Sequence, residues 1–328
     1  MGTQVLAWHR PYWEKLSAYI HTGRLPHGLM ITGVAGIGKT ILAHFFARSL
    51  LCEARKKDGK PCEECRSCHL MDVQSHPDFI PIEPSKPGGV ILVEQIRELI
   101  GKLSTTTHYG EHRVVMLHHA HRLNSAAANS LLKTLEEPAD GTLIILVTES
   151  PSMLPVTIVS RCQKLNLPLP DFSLALDWLR EQGIRENLEA LFEMSGRAPF
   201  KALILSKQDS VETKNGFDEL LLQLVKNKSD PVSVAEKCSD IPEEQIIDWL
   251  TLRLVDMIRI ASDPGVKNLA NPVLRASLQQ QVQRLNLQHL FQYLDQLVLA
   301  KQRLVNQANK KLVLEEIFIN YQILISNI

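Results

Sequence analysis

Hydrophobic positions in the first half of the chain fall into short runs that alternate with longer amphipathic stretches. Four runs have the length and composition of buried strands: HGLMIT (27–32), DFIPI (78–82), RVVMLH (113–118) and TLIILVT (142–148). Apolar residues are spaced as in helices in TILAHFFARSLL (40–51), VEQIRELIGKL (93–103) and AAANSLLKTLEE (126–137). Strands that alternate with helices are typical of a parallel sheet. The pattern therefore predicts a doubly wound α/β nucleotide-binding domain over residues 1–167.

The pattern changes after the proline-interrupted segment LNLPLPD (165–171), beyond which strand-like runs largely vanish. Apolar residues recur with helical spacing in FDELLLQLV, IIDWLTLRLVDMIRIA, LQHLFQYLDQLVLAKQRL and LVLEEIFINYQILI. No heptad run is long enough to predict a coiled coil. The sequence predicts a small helical lid at 168–207 and an all-α domain at 208–328.

A glycine-rich segment lies between the first predicted strand and the first long helix. Residues 33–40 (GVAGIGKT) fit the phosphate-binding motif GxxxxGK[ST]. Its glycines let backbone N–H groups close around phosphate oxygens; they are Gly33, Gly36 and Gly38. In this motif Lys39 reaches the terminal phosphates and Thr40 binds magnesium. A plain glycine-rich turn is the alternative, but the strand and helix on either side favour binding of ATP or ADP.

The third predicted strand ends in four residues, His118-His119-Ala120-His121, where a working ATPase carries carboxylates. In such enzymes an Asp at this strand end holds Mg²⁺, and a Glu commonly polarises the attacking water. Neutral imidazole is a poor ligand for a hard cation, and no nearby Asp or Glu takes over that role. The sequence therefore predicts a doubtful Mg²⁺ site and no hydrolysis by this chain. A transition-metal site is disfavoured, because consecutive residues on a strand point to opposite faces.

Four of the six cysteines form a cluster with the spacing Cx9CxxCxxC: Cys52, Cys62, Cys65 and Cys68. Four thiolates within reach of one tetrahedral ion predict Zn²⁺. With four protein ligands the ion has no open coordination position, so its expected role is structural, bracing an insertion between the first helix and the next strand. His69 as a substitute ligand, or free or redox-active thiols, are the alternatives.

Charge and hydropathy exclude some classes of protein. The 36 basic and 36 acidic residues cancel, so the chain as a whole has no electrostatic drive toward nucleic acid. A local cluster beside the cysteines leaves a zinc-dependent nucleic-acid-binding module as a weaker alternative; it consists of Arg55, Lys56, Lys57 and Lys60. No signal peptide and no run of about 18 apolar residues is present, so a soluble cytoplasmic protein without membrane contact is expected.

Four of these segments together resemble the clamp-loader AAA+ subunits of bacterial DNA polymerase III. They are the phosphate-binding loop, the cysteine insertion, AAANSLLKTLEEP and LPVTIVSRC. The missing carboxylates, LSAYIHTGRLPHGLMI and HPDFIPIEP resemble the delta-prime branch specifically. The gamma/tau motor subunit would carry Asp-Glu in place of His118-His119. The resemblance covers residues 1–167 and continues more weakly to the C-terminus.

The resemblance implies roles for individual residues. Arg161 of the Ser-Arg-Cys motif is expected to act in trans as an arginine finger on ATP bound by a neighbouring subunit. Thr148 occupies the position of a nucleotide-sensing polar residue. Motor subunits place a second sensor arginine on a lid helix, where this chain has Pro199 and Phe200. The missing carboxylates and the missing sensor arginine both indicate a nucleotide site that is unproductive or vestigial.

The resemblance also implies an assembly. The expected partners are the delta and gamma/tau subunits in a hetero-pentamer, and through it the sliding clamp and primed DNA. Residues 208–328 would form the collar that fastens the ring. The chain would be a rigid stator without a polymerase site and without ATPase activity of its own. A self-sufficient gamma/tau-like ATPase is the alternative.

Overall fold

The computed structural model describes residues 5–86, 88–104, 106–184, 188–206, 210–226, 228–266, 269, 271, 274–283, 285–305 and 308–326. Contacts divide the chain into two compact units, Met1–Ala175 and Leu176–Ile328. The finer division into a lid at 168–207 and a collar at 208–328 stays a prediction.

The first unit is an α/β domain built on five parallel strands in the order β2-β3-β4-β1-β5. The strands are β1 (Gly28–Thr32), β2 (Phe79–Ile82), β3 (Arg113–Leu117), β4 (Thr142–Thr148) and β5 (Gln163–Asn166). The helices are α1 (Arg10–Thr22), α2 (Lys39–Leu51), α3 (Arg66–Asp72), α4 (Val93–Leu103), α5 (Ser125–Glu136) and α6 (Val156–Val159). The predicted fold class is confirmed.

Burial explains why the central strands could be predicted from the sequence. Every residue of β1, β3 and β4 is buried, as expected for central strands of a parallel sheet that is covered on both faces. Strand β5 was not predicted, because its QKLN sequence buries only Leu165 and carries no apolar run. The predicted linker at 165–171 therefore begins inside the sheet, where Leu165 pairs with Ile31.

The second unit is helical, as predicted, and begins within α7 (Phe172–Glu181). The helices that follow are α8 (Leu188–Met194), α9 (Pro199–Leu205), α10 (Ser210–Val225), α11 (Pro231–Lys237), α12 (Glu243–Ser262), α13 (Arg275–Val282), α14 (Leu287–Val305) and α15 (Lys310–Ser326). Its core includes the fully buried side chains of Phe217, Trp249, Phe318 and Tyr321. None of the helices in the described part of the chain is both long and apolar enough to span a membrane.

Candidate nucleotide site and cysteine cluster

Three segments with candidate chemistry leave the sheet at one edge. Strand β4 lies between β1 and β3, and all three are parallel. The phosphate-binding loop follows β1, the histidines follow β3, and Glu149 follows β4. Because the register pairs Thr32 with Thr148, these segments start side by side. This edge is where doubly wound folds bind ligands.

The glycine loop has a backbone that only glycine adopts readily. Gly33, Gly36 and Gly38 have φ angles of 147°, 81° and 90°. A Cβ atom on Gly33 would lie 2.5 Å from the Leu167 carbonyl oxygen. Helix α2 begins directly at Lys39, so its N-terminal N–H groups face the loop, as an anion site requires. Thr40 lies in the first turn of α2 and is half-buried.

The chain's N-terminal segment supports this loop, which the sequence pattern did not predict. The Trp8 indole Nε1 donates a 3.0 Å hydrogen bond to the Ile37 carbonyl oxygen. His9 Nε2 lies 3.0 Å from the same oxygen. Burial lowers the pKa of His9 to about 4, so the ring is neutral near pH 7 and donates through Nε2–H. The Lys39 ammonium is buried and donates to the Val34 carbonyl at 2.7 Å.

The four residues from His118 to His121 lie beyond the strand that was expected to carry them. Strand β3 ends at Leu117, and the His118 N–H still donates to the Ile82 carbonyl at 2.8 Å. His119 has a left-handed φ of 50°, and a 3-10 turn covers Ala120–Arg122. The alternating-face argument against a metal site therefore does not apply here. Within the described residues, only the cysteines have a geometry that could hold a metal ion.

A carboxylate does stand at this edge, contrary to the sequence expectation. Glu149 Oε1 lies 3.5 Å from His119 Nδ1. Burial raises the pKa of Glu149, but hydrogen bonding to His119 and the charges of Lys39, His121 and His119 outweigh it and lower the pKa to about 2. Glu149 is therefore an anion near the loop lysine. Its signal in the sequence is its position directly after a buried strand that neighbours β1.

Thr148 lies in the same cluster, at the end of β4. Its hydroxyl is 3.2 Å from His121 Nδ1, and both residues are buried. Burial lowers the pKa of His121 to about 4, so the ring is neutral near pH 7. The predicted sensing residue is thus a buried polar group beside the histidine segment.

Arg161 lies at the amino-terminal end of the parallel strands, opposite the end that carries the phosphate-binding loop. It precedes β5, whereas the phosphate-binding loop follows β1, and the two strands are parallel neighbours. Its guanidinium lies 2.6 Å from Glu136 Oε1 and donates to the Thr157 carbonyl at 2.9 Å. Its side chain is 36% exposed. The structure does not bring Arg161 to this chain's own loop.

The residues at the expected position of the second sensor contact neighbouring residues of the helical unit. Arg197 has a φ of 62° and binds Glu193 through Nε at 3.0 Å and Nη2 at 2.6 Å. Pro199 opens α9, and the Phe200 ring packs 4.7 Å from the Trp178 ring. Pro199 and Phe200 therefore serve to start and pack a helix.

The four clustered cysteines come together between α2 and β2. Cys52 ends α2, Cys65 caps α3, and Cys68 lies within α3. The Sγ–Sγ distances are 3.5 Å for Cys52–Cys62 and 3.9 Å for both Cys52–Cys65 and Cys62–Cys68. Four sulfurs at 2.3 Å from a tetrahedral zinc ion stand about 3.8 Å apart. The donor set and its spacing therefore fit a zinc ion.

Backbone N–H groups donate to three of the four sulfurs, whereas burial raises the pKa of Cys52 and raises that of Cys68 to about 12. N–H groups of Cys62, Cys65 and Cys68 donate to the sulfurs of Cys52, Cys62 and Cys65, at 3.3, 3.3 and 3.4 Å. Burial raises the pKa of Cys62, but hydrogen bonds from the Glu64 and Cys65 N–H groups outweigh it and lower the pKa to about 6. His69 is exposed and lies outside the sulfur group.

Comparison with known proteins now identifies the family. A family model described as "DNA polymerase III, delta subunit" matches residues 8–171, and one described as "DNA polymerase III, delta subunit, C terminal" matches residues 210–322. "DNA polymerase III subunit delta'" of Pseudomonas aeruginosa is 30% identical over 322 residues, which is 97% of each chain. The protein of that name in Escherichia coli is 34% identical over 254 residues, 77% of this chain and 75% of the relative. The chain belongs to the DNA polymerase III subunit delta' family.

A tau/gamma relative, which represents the alternative of a self-sufficient ATPase, aligns with a smaller part of this chain. "DNA polymerase III subunit tau/gamma" of Haemophilus influenzae is 35% identical over 165 residues, which is 50% of this chain and 23% of that protein. The delta' relatives are matched over far more of their length. The resemblance to the delta' branch is confirmed.

Proposed function

We propose that this chain is the delta' subunit of a DNA polymerase III clamp loader and supplies Arg161 in trans to ATP bound by a neighbouring subunit. The observation that carries the proposal is the placement of Arg161 at the sheet edge opposite the chain's own phosphate-binding loop. An arginine there serves a nucleotide only if another molecule presents one. Its part-exposed guanidinium is held by a surface ion pair that costs little to exchange.

The chain's own loop is proposed to bind ATP or ADP without hydrolysing it. Gly33, Gly36 and Gly38 leave room for backbone N–H groups to surround phosphate oxygens, with Lys39 and Thr40 at the helix start and Thr148 beside them. Hydrolysis needs a carboxylate that holds Mg²⁺ and one that polarises water. The end of β3 offers histidines, and Glu149 is paired with His119.

The cysteine cluster is proposed to hold structural Zn²⁺. Cys52, Cys62, Cys65 and Cys68 would complete a tetrahedral shell without an open position, so the ion supplies no catalysis. Its effect is to fasten α3 to the end of α2. Because Lys39 begins that helix, the metal centre also fixes the distal end of the element that presents the loop.

The partners proposed are the delta and gamma/tau subunits of a hetero-pentamer, which acts on the sliding clamp and primed DNA. The names of the relatives support this assembly. The helical region at 208–328 supports it through its exposed apolar side chains, which suit subunit packing; on α14 and α15 they include Phe291, Val298, Leu312 and Ile323.

A reconstituted loader tests the arginine assignment. ATP turnover is measured with wild-type chain, with Arg161→Ala, and with Arg180→Ala as a control that removes another exposed, ion-paired arginine. We expect Arg161→Ala to remove the turnover of the one interface it serves and Arg180→Ala to change nothing. An arginine finger raises the rate of phosphoryl transfer roughly 10³- to 10⁵-fold, so ATP turnover at that interface should become undetectable. Unchanged turnover in Arg161→Ala would refute the assignment.

The isolated chain provides the second arm of this experiment. We expect no ATP turnover from it. Turnover that is abolished by Lys39→Ala would instead favour a self-sufficient ATPase, and its loss in Glu149→Gln would name the carboxylate responsible.

A further inference from the structure

Arg48 is a buried cation at the cysteine cluster. It lies on α2, one helical turn before Cys52, and is only 4% exposed. Its Nη2 donates to Asp72 Oδ2 at 2.9 Å, and its Nη1 donates to Asp72 Oδ1. Asp72 ends α3, the helix that carries Cys68. The guanidinium thus lies between the two helices that present cysteines.

The ion pair with Asp72 does not account for this burial. The Asp72 side chain is 44% exposed, and it would bind an arginine equally well nearer to solvent. The Arg48 Nε–H is buried and has no hydrogen-bond partner among the described residues. Leaving a buried donor unpaired is unfavourable. A second partner must compensate for holding the cation inside.

The cysteine cluster is that partner. Arg48 precedes Cys52 by four residues at the end of α2. Asp72, which the guanidinium binds, follows Cys68 by four residues on α3, so the cation stands about one helical turn from both buried cysteines. Cys52 and Cys68 are buried, whereas Cys62 and Cys65 are half-buried. Arg48 therefore stands on the buried side of the cluster, where charge interactions are strongest.

The charge of a metal–thiolate cluster explains why a cation is buried beside it. A divalent ion with four thiolates carries a net charge of about −2. A buried net charge is costly unless an opposite charge lies beside it. Arg48 supplies one such charge from the helix that ends in Cys52.

We propose that Arg48 is a positioning residue for the metal centre, which stabilises the negative charge of the metal–thiolate cluster and thereby sets its metal affinity. The proposal rests on the zinc site proposed above. Outer groups of this kind typically change metal affinity 10- to 100-fold.

Competition with a chromophoric chelator measures zinc affinity in the full chain. We expect Arg48→Met, which keeps the length and apolar stem, to bind zinc about 10- to 100-fold more weakly. Arg55→Met is the matched control, because Arg55 is exposed, follows Cys52 by three residues and donates to the Leu50 carbonyl at 3.0 Å. Its affinity should change less than about twofold. Equal affinities in wild type and Arg48→Met would overturn the proposal.

Asp72→Asn separates charge compensation from simple bracing of the helices. If Arg48 acts on the cluster, Asp72→Asn removes a competing anion and leaves zinc affinity equal or higher. A loss as large as that of Arg48→Met would show that only the Arg48–Asp72 brace matters. Arg48→Lys keeps the charge and should retain most of the affinity; a loss equal to that of Arg48→Met would also contradict the proposal.

Two further readouts keep the result clear. Cobalt-loaded Arg48→Met should keep the absorption spectrum of a tetrahedral four-sulfur site, because all four ligands remain; a changed ligand field would mean that Arg48 shapes the ligand set instead. If the wild-type chain binds no zinc, the metal site itself fails. If it binds zinc and Arg48→Met binds equally well, only the role of Arg48 fails.

Discussion

The Nδ1 atom of His119 lies 3.5 Å from Oε1 of Glu149, at the ends of neighbouring parallel strands. The histidine takes the place where a carboxylate was expected, and the carboxylate stands one strand away. Glu149 also acts electrostatically on Lys39, which the phosphate-binding loop needs for a nucleotide.

Removing this negative charge should strengthen nucleotide binding. Glu149 stays ionised near neutral pH, so it repels an incoming phosphate and stabilises Lys39 without one. We expect Glu149→Gln to bind ATP or ADP more tightly by about 1 kcal/mol, which is roughly fivefold. Titration with a fluorescent nucleotide measures this, with Glu111→Gln, an exposed glutamate of the same unit, as the control. Unchanged or weaker binding in Glu149→Gln would contradict the expectation.

Gly33→Ala should damage the loop. Its φ of 147° is unfavourable for any side chain, and the new Cβ would meet the Leu167 carbonyl oxygen at 2.5 Å and Ile37 Cδ1 at 2.6 Å. We expect a loss of roughly 1–3 kcal/mol in the free energy of unfolding, together with weaker nucleotide binding.

Gly101→Ala is the matched control for that substitution. Gly101 lies inside α4, where an added Cβ meets nothing within 4 Å. Alanine there should stabilise the chain by about 0.4–1 kcal/mol. Chemical denaturation monitored by far-UV circular dichroism compares the two variants. A Gly33→Ala chain as stable as wild type would show that the loop tolerates the side chain.

Acid should loosen the support of the loop between pH 6.5 and 4. Burial lowers the pKa of His9 from 6.5 to about 4 in the folded chain. Between these values the unfolded chain takes up a proton that the folded chain does not, so stability is fully present above pH 6.5 and falls as the pH is lowered. The loss from His9 alone amounts to about 3 kcal/mol by pH 4.

His9→Gln tests the source of this dependence. Glutamine does not titrate, so the variant should lose less stability than wild type between pH 7.5 and 4.5. Amide hydrogen exchange of residues 28–51 over this range reports on the loop directly. Parallel pH profiles for wild type and His9→Gln would exclude His9 as the cause.

Glu136→Gln should release Arg161 at little cost. The Arg161–Glu136 pair is part-exposed on both sides, so its loss should change the free energy of unfolding by less than about 1 kcal/mol. Loader ATP turnover should stay equal or rise, because the guanidinium no longer has to exchange partners. Turnover that falls in Glu136→Gln as far as in Arg161→Ala would indicate that the ion pair itself is needed.

Much of the α/β unit could be predicted because its strands are buried on both faces. The run Thr142–Thr148 was predicted with its observed bounds, and so was the helix Val93–Leu103, whose apolar residues recur at helical spacing. The four cysteines were predicted as one group, because their ligand spacing is short enough to close without help from distant parts of the chain.

Elements that depend on distant partners could not be predicted. Strand β5 is stabilised by pairing with β1, and its own residues are mostly polar. Glu149 reaches His119 only because β3 and β4 are neighbours, and Trp8 reaches Ile37 only because the N-terminal segment packs on the loop. No local periodicity records such contacts.

The sequence by itself determined the glycine loop, the ligand set, the parallel α/β architecture and the absence of carboxylates after β3, because each follows from residue type and short-range spacing. Only the tertiary structure decided which charges meet: Glu149 beside His119, Arg48 beside Asp72, and Arg161 at the end of the sheet away from its own loop. The order of the strands sets these distances, and electrostatic interactions depend on distance and burial, neither of which a linear pattern contains.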